Sequence, residues 1–229
     1  MPLTSRQINE LGERLKSGPL AKEDRQSFEE FRGSFVPAYN EVISNIRDTL
    51  GLSPSGRPDN RLESIVAKLR RGETPLWQMQ DIAGCRITIA DRATQDAVVR
   101  QLRDLFPDHR EVDRRREPRY GYRAVHLIVR AQGRRIEIQV RTYLQDLWAN
   151  VAESMDGDLK HGVGAPEYRG FDLATMIRAG DIIDHFEGTS GWLEAAVSRD
   201  HLAGLFRGIM FVPLLFESGV VSTIRTLEE

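Results

Sequence analysis

A carboxylate, an amide and a guanidinium stand at every second position of Arg135-Ile136-Glu137-Ile138-Gln139-Val140-Arg141. In an extended strand successive side chains point to opposite faces, so Glu137, Gln139 and Arg141 share one face and Ile136, Ile138 and Val140 the other. Such a row can bind a metal ion or a hydroxyl proton at Glu137, orient a ligand at Gln139 and clamp a phosphate at Arg141. The alternation also describes a half-exposed strand with no chemistry. Upstream, Gln80-Asp81-Ile82-Ala83-Gly84-Cys85-Arg86 puts an aspartate at the entry to a β-rich run and an arginine inside it. Asp81 and Glu137 together could hold Mg²⁺ between nucleotide phosphates, because a hard cation takes oxygen ligands. The alternative is that Asp81 caps a turn and Arg86 neutralises it.

Two further groups surround this row. In Gly121-Tyr122-Arg123-Ala124-Val125-His126 the tyrosine follows a glycine, so its ring can project from a loop and stack on a base. If the strand period holds through this stretch, Tyr122, Ala124 and His126 share a face. Just before it, Asp113-Arg114-Arg115-Arg116-Glu117-Pro118-Arg119 packs four arginines into seven residues. Arginine can hold phosphate bidentately, which lysine cannot. Residues 57–141 carry 19 basic against 12 acidic side chains, a local +7, whereas residues 1–56 carry −1 and residues 142–229 carry −8. The middle of the chain is thus where a polyanionic ligand would be drawn, although a solvated basic face has the same composition.

The elements that must position these residues can be read from hydrophobic spacing. Residues 5–17 and 22–50 read as helices, with Phe28, Phe31, Phe35, Tyr39, Val42, Ile43 and Ile46 on one face and Pro37 kinking or dividing the second. Residues 53–58 read as a loop and residues 61–71 as a helix. A short strand covers 85–90. A helix covers 92–106, with Ala93, Ala97, Val98, Leu102, Leu105 and Phe106 at core spacing. Two strands, 123–131 and 135–142, are joined across Gln132-Gly133-Arg134 as a hairpin in which Gly133 can take positive φ. From Tyr143 onward the pattern is helical. Asp181, Asp184, His185 and Glu187 have the chemistry of a metal cluster, but at helical spacing they read as a solvated face. The expected class is α+β: an N-terminal helical extension (1–56), a strand-rich core (57–160) and a C-terminal helical extension (161–229).

Composition excludes several classes. At 40% hydrophobic and 29% charged residues, the chain is that of a folded globular protein rather than a disordered one. Its single cysteine, Cys85, precludes an intramolecular disulfide and suits a reducing compartment. Residues 1–16 lack the apolar centre of a signal peptide. The apolar run Leu205 to Phe216 is too short for a bilayer and reads as a buried helix or a subunit contact. The expectation is a cytoplasmic protein with no membrane partner.

Together the motifs resemble the synthetase domain of the RelA/SpoT family of alarmone synthetases. The resemblance rests on Asp81-Ile82-Ala83-Gly84-Cys85-Arg86, Gly121-Tyr122-Arg123-Ala124-Val125-His126, Glu137-Ile138-Gln139-Val140-Arg141-Thr142 and Trp148-Ala149. Ser64-Ile65, Lys68-Leu69 and Arg71 add to it, and it covers about residues 57–160. Each motif alone is weak, and their order and spacing make the combination strong. The pattern departs where the family has a basic pair six and four residues before the serine, because Pro58 and Asn60 stand there. Arg57 and Arg61 are the nearest cations. No His/Asp cluster in the first 56 residues suggests a separate hydrolase unit, so the segment reads as a stand-alone small synthetase.

The resemblance implies a mixed, nucleotidyltransferase-like sheet flanked by helices, and transfer of the β,γ-pyrophosphate of ATP to the 3′-hydroxyl of GDP or GTP. It implies that Asp81 and Glu137 bind Mg²⁺, with Glu137 also the base for the attacking hydroxyl. Tyr122 would stack on the acceptor base, His126 and Gln139 would position acceptor groups, and Arg119 and Arg141 are the acceptor-side cations. Arg86 would lie against the adenine of ATP, and Ser64, Lys68 and Arg71, with Arg57 and Arg61, would hold its phosphates. Toxic relatives in the family carry the same chemistry to the 3′-CCA end of tRNA or to adenine nucleotides. On that alternative a neutralising antitoxin becomes a partner, and the basic stretch Arg114 to Arg123 would suit RNA. A third alternative is a nucleotide-binding module without catalysis. Helices beyond the core suit assembly into a homo-oligomer.

Overall fold

A computed structural model of the chain describes residues 3–17, 21–57, 62–72, 74–155 and 173–189. Seven α-helices are described: α1 (Ser5–Lys16), α2 (Lys22–Gly33), α3 (Val36–Leu50), α4 (Leu62–Arg70), α5 (Arg92–Leu105), α6 (Tyr143–Met155) and α7 (Leu173–Thr189). Five strands, β1 (Ser55–Arg57), β2 (Gly84–Ile89), β3 (His109–Asp113), β4 (Val125–Ala131) and β5 (Arg134–Thr142), form one mixed sheet in the order β1-β2-β5-β4-β3. This is the expected α+β class. The described residues fall into two compact units. The first comprises residues up to Ile89 with 93–113 and 125–141, and the second comprises 90–92, 114–124, 142–155 and 173–189.

The first unit owes its core to the periodicities of its segments. On β5, Ile136, Ile138 and Val140 are fully buried while Glu137 and Gln139 on the other face are half-buried. On β4, Val125, Leu127 and Val129 fill the same core. The hairpin between them turns at Gln132 and Gly133, both at positive φ (46° and 74°), as a two-residue turn matched to strand twist requires. Helix α1 starts in a capping box between Thr4 and Gln7 and buries Ile8, Leu11 and Leu15 along one stripe. Phe28 and Phe31 of α2, Phe35, and Val42, Ile43 and Ile46 of α3 join the same cluster as the strands. Pro37 divides the 22–50 segment rather than kinking it: α2 ends at Gly33, and the proline sits in the first turn of α3, where no N–H is needed.

Three readings change. The loop expected at 53–58 contains β1, an edge strand paired antiparallel with β2 (Ser55 with Arg86, Arg57 with Gly84). Three residues pairing through backbone groups alone leave no side-chain signature. On α5, Ala93 is exposed, and the buried positions are Gln95, Val98, Val99 and Leu102. Gln95 is tolerated inside because its Nε2 donates to the Val140 carbonyl at 2.8 Å. Strand β4 begins at Val125 rather than 123, so a strand period does not carry from His126 back to Tyr122. The run 205–216 lies outside the described residues. Among the described residues, no helix is long and apolar enough to cross a membrane.

Ile138→Ala should destabilise the chain by roughly 2–5 kcal/mol, the range for truncating a buried isoleucine. Chemical denaturation would measure it, and a loss well below 1 kcal/mol would contradict the position of β5 at the centre of the core.

Candidate active site

Strand register brings the chemical residues of the first unit together. In the β4–β5 ladder His126 lies opposite Gln139, and Ile128 lies opposite Glu137. His126 is thus a diagonal neighbour of Glu137 on the face away from the core, within reach of its carboxylate. The His126 Nδ1 to Glu137 Oε1 distance is 2.8 Å, a hydrogen bond in which the imidazole donates when Nδ1 carries the proton. Gln139 Nε2 donates to the other oxygen, Oε2, at 2.7 Å, and Arg141 Nη2 donates to Gln139 Oε1 at 2.7 Å. The row from Arg141 through Gln139 to Glu137 is therefore a directed chain in which the guanidinium fixes the amide and the amide fixes the carboxylate.

The carboxylate is strongly biased toward its ionised form. Burial alone would raise the Glu137 pKa. The opposing charge and hydrogen bond of His126, the hydrogen bond of Gln139 and the charge of Lys68 outweigh it and bring the value down to about 2. Lys68, on α4, forms an ion pair with Asp81. One ammonium thus neutralises Asp81 directly and acts electrostatically on Glu137, which places both carboxylates around a common positive charge. Asp81 and Glu137 offer oxygen ligands of the kind a hard divalent cation takes, although among the described residues no group of three or more His, Cys, Asp or Glu side chains is placed to hold one. Neighbouring Cys85 is buried in β2, and burial with the Glu137 charge pushes its thiol up to about 12.

The remaining candidates of this unit are dispersed. Ser64, Lys68 and Arg71 follow at helical spacing along α4 and its C-terminal turn, which puts them on one side, and all are half-buried. Arg86 alternates with the buried Cys85 and Ile87 on β2 and is half-buried. Arg57 is the last residue of β1, and Arg61 lies outside the described residues. Arg141, expected as a phosphate clamp, is only 3% exposed and is engaged with Gln139. His126 and Gln139, expected to touch the acceptor, both bond Glu137 here.

The second unit holds Arg119 and Tyr122. They close a tight turn through reciprocal backbone hydrogen bonds (Tyr122 N to Arg119 O at 2.9 Å, Arg119 N to Tyr122 O at 3.3 Å). Its central residues, Tyr120 and Gly121, both have positive φ, 54° and 89°. The Tyr122 ring is half-buried and tilted against the buried Trp148 ring, with centroids 6.1 Å apart. Arg119 is exposed. Arg123, read from sequence as part of a basic RNA-facing stretch, is instead 6% exposed and donates to Asp181 at 2.8 Å. Of the α7 set, Asp181 and His185 are exposed as expected of a solvated face, but Asp184 and Glu187 are half-buried and engaged. Asp184 accepts from Arg92 at 2.7 Å, and Glu187 accepts from Thr142 Oγ1 and from Gln145 Nε2 at 3.0 Å. Burial raises the Glu187 pKa against the hydrogen bonds that favour its charge. Sequence periodicity missed these pairs because their partners are 42 to 92 residues away.

Comparison with known proteins adds an independent line. Residues 57–157 match the region found in RelA / SpoT proteins. Uncharacterized proteins of Mycobacterium bovis and Mycobacterium tuberculosis are each 41% identical over 108 residues, covering 44% of this chain and 38% of theirs. The chain thus spans well under half the length of these relatives. Among solved structures, small alarmone synthetase 2 of Bacillus subtilis aligns with a TM-score of 0.55 at 24% identity, over 76% of this chain and 100% of that one. A GTP pyrophosphokinase family protein from Streptococcus pneumoniae gives a TM-score of 0.55 at 23% identity, over 84% and 99%. Small alarmone synthetase 1 of Bacillus subtilis, solved with its product pppGpp, gives 0.53 at 24%, over 72% and 97%. At these identities the structural likeness is one of fold.

His126→Ala removes both the charge and a hydrogen bond that hold Glu137 ionised, so the Glu137 pKa should rise from about 2. A carboxylate with a depressed pKa stabilises the fold above its unfolded pKa, and that contribution is lost as pH falls through the folded value. The variant should therefore lose stability at a higher pH than the parent chain on acid titration. Carboxyl-carbon NMR would follow Glu137 directly, and an unmoved titration would refute the role given to His126.

Proposed function

Because residues 57–157 match the region found in RelA / SpoT proteins, we infer that this chain is an ATP-dependent pyrophosphokinase that acts on the ribose 3′-hydroxyl of GDP or GTP. In this reaction the 3′-oxygen attacks the β-phosphorus of ATP, the bond from that phosphorus to the α-phosphate oxygen breaks, AMP leaves and the hydroxyl proton is released. The observation that carries the reading is the half-buried, ionised Glu137, fixed on both oxygens and sharing the charge of Lys68 with Asp81. A site that moves a phosphorus-centred group has little covalent work to do and acts chiefly by positioning and neutralising charge. A carboxylate with a pKa of about 2 is a weak base. It is nevertheless a constant acceptor for the attacking hydroxyl, and it remains charged at any working pH.

On this reading Asp81 and Glu137 hold Mg²⁺, which when bound supplies positive charge to the pyrophosphate being transferred. Lys68, released from Asp81, takes ATP phosphates together with Ser64 and Arg71, and Arg86 flanks the adenine. Tyr122 stacks on the acceptor base and Arg119 supports the acceptor phosphates. Glu137 receives the hydrogen bond of the attacking hydroxyl, held in orientation by His126 and Gln139. A guanosine nucleotide is the acceptor favoured by the overall likeness to alarmone synthetases. The chain is read as a soluble cytoplasmic enzyme that assembles into homo-oligomers.

Incubation with γ-labelled ATP and Mg²⁺ and, separately, GDP, GTP, ATP or deacylated tRNA tests this. Label should appear on GDP or GTP with AMP released. Label on tRNA or an adenine nucleotide alone would replace the acceptor, and no transfer to any would overturn the activity. Glu137→Gln should reduce transfer at least about 100-fold while nucleotide binding persists. Tyr122→Ala should weaken the acceptor by roughly 1–3 kcal/mol, the usual contribution of one base–aromatic stack, and leave ATP almost unaffected. Equal loss for both substrates would remove the stacking role.

A further inference from the structure

The turn that carries Tyr122 is held from one side by α7. A Cβ on Gly180 would lie 2.3 Å from the Gly121 carbonyl oxygen and 2.8 Å from its Cα, so the helix backbone packs directly on the residue before Tyr122. The residue after Tyr122 is held as well. Arg123 Nη1 donates to the same Gly121 carbonyl at 3.2 Å, Nη2 donates to Asp181 at 2.8 Å, and Nε lies 3.5 Å from Asp184. Asp184 also accepts from Arg92 at 2.7 Å, a second ion pair within the same unit. The far end of α7 is secured through Glu187 to Thr142 and Gln145, where Thr142 Oγ1 and the Gln145 amide cap the first turn of α6. Tyr120 and Gly121 both sit at positive φ, a conformation that is costly for the tyrosine and persists only where its surroundings impose it.

From these contacts we propose that Gly180, Asp181 and Asp184 of α7 are positioning residues for the acceptor: a strap that fixes the Arg119–Tyr122 turn so that the Tyr122 ring meets the base ready-made. The proposal rests on the reading of Tyr122 as the acceptor platform. None of the three residues need touch a nucleotide. Their effect is to lower the ordering cost of base binding, because a turn already fixed loses less freedom when the ligand arrives. Arg123 is the mechanical link, since one guanidinium grips the turn carbonyl and the α7 carboxylates together.

The test uses the full chain with Gly180→Ala and, separately, Asp181→Asn, with Asp181→Glu as the conservative partner. Amide hydrogen exchange at 119–124 should accelerate about tenfold or more in the first two variants, with amides of 125–141 unchanged. Asp181→Glu should restore most of the protection. Acceptor KM should rise about tenfold while the KM for ATP stays put. Unchanged exchange at 119–124, with transfer intact, overturns the strap alone. Accelerated exchange without any change in acceptor KM overturns its positioning role. Absence of transfer in the unaltered chain overturns the parent reading and the acceptor half of this proposal with it.

Discussion

The period-two alternation of β5 is the constraint on which the rest of the first unit depends. Ile136, Ile138 and Val140 are buried without remainder, and a slip of one residue would exchange that face for Glu137, Gln139 and Arg141. Apolar burial therefore sets the register, and the register sets which polar side chains meet. His126 reaches Glu137 because the β4–β5 ladder puts it opposite Gln139. The chemistry is held in place by side chains that take no part in it.

Electrostatically, the site stores charge in balanced pairs. Lys68 answers Asp81, and His126, when protonated, answers Glu137. Without such partners, burial would push the Glu137 carboxyl upward and favour its protonated form. The pairing carries a second consequence. On the proposed function, a phosphate that took the ammonium of Lys68 would leave Asp81 without its counter-charge, and a bound divalent cation would have to supply it. In the second unit the same economy serves architecture: Arg92 and Arg123 converge on Asp184, which takes the Arg123 guanidinium out of the basic stretch that leaves Arg116 and Arg119 exposed.

How much of this was legible depended on the range of the interaction. Alternation and helical spacing are local signals, and they placed β5, β4, the hairpin turn and the helix faces of Phe28 to Ile46 within a few residues. The row Glu137-Gln139-Arg141 was visible for the same reason, and so was the kinship of the motifs. The inward use of Arg141 and Arg123 was not visible, because an arginine in an extended stretch carries no mark of whether its partner is solvent, Gln139 or a helix 58 residues on. Strand β1 escaped notice because a three-residue edge strand is specified by backbone groups. The engagement of Asp184 and Glu187 on α7 was not visible because their partners come from distant segments, and composition along the helix cannot register them.

The burial of Cys85 has a practical side. It is the chain's one cysteine, and its thiol, pushed up to about 12, stays protonated in ordinary buffers. Only the thiolate reacts at a useful rate with electrophiles. The folded protein is thus nearly silent toward thiol reagents. A cysteine introduced at an exposed position such as Trp77 would be the sole reactive attachment point for a dye or spin label, with no native residue to remove first.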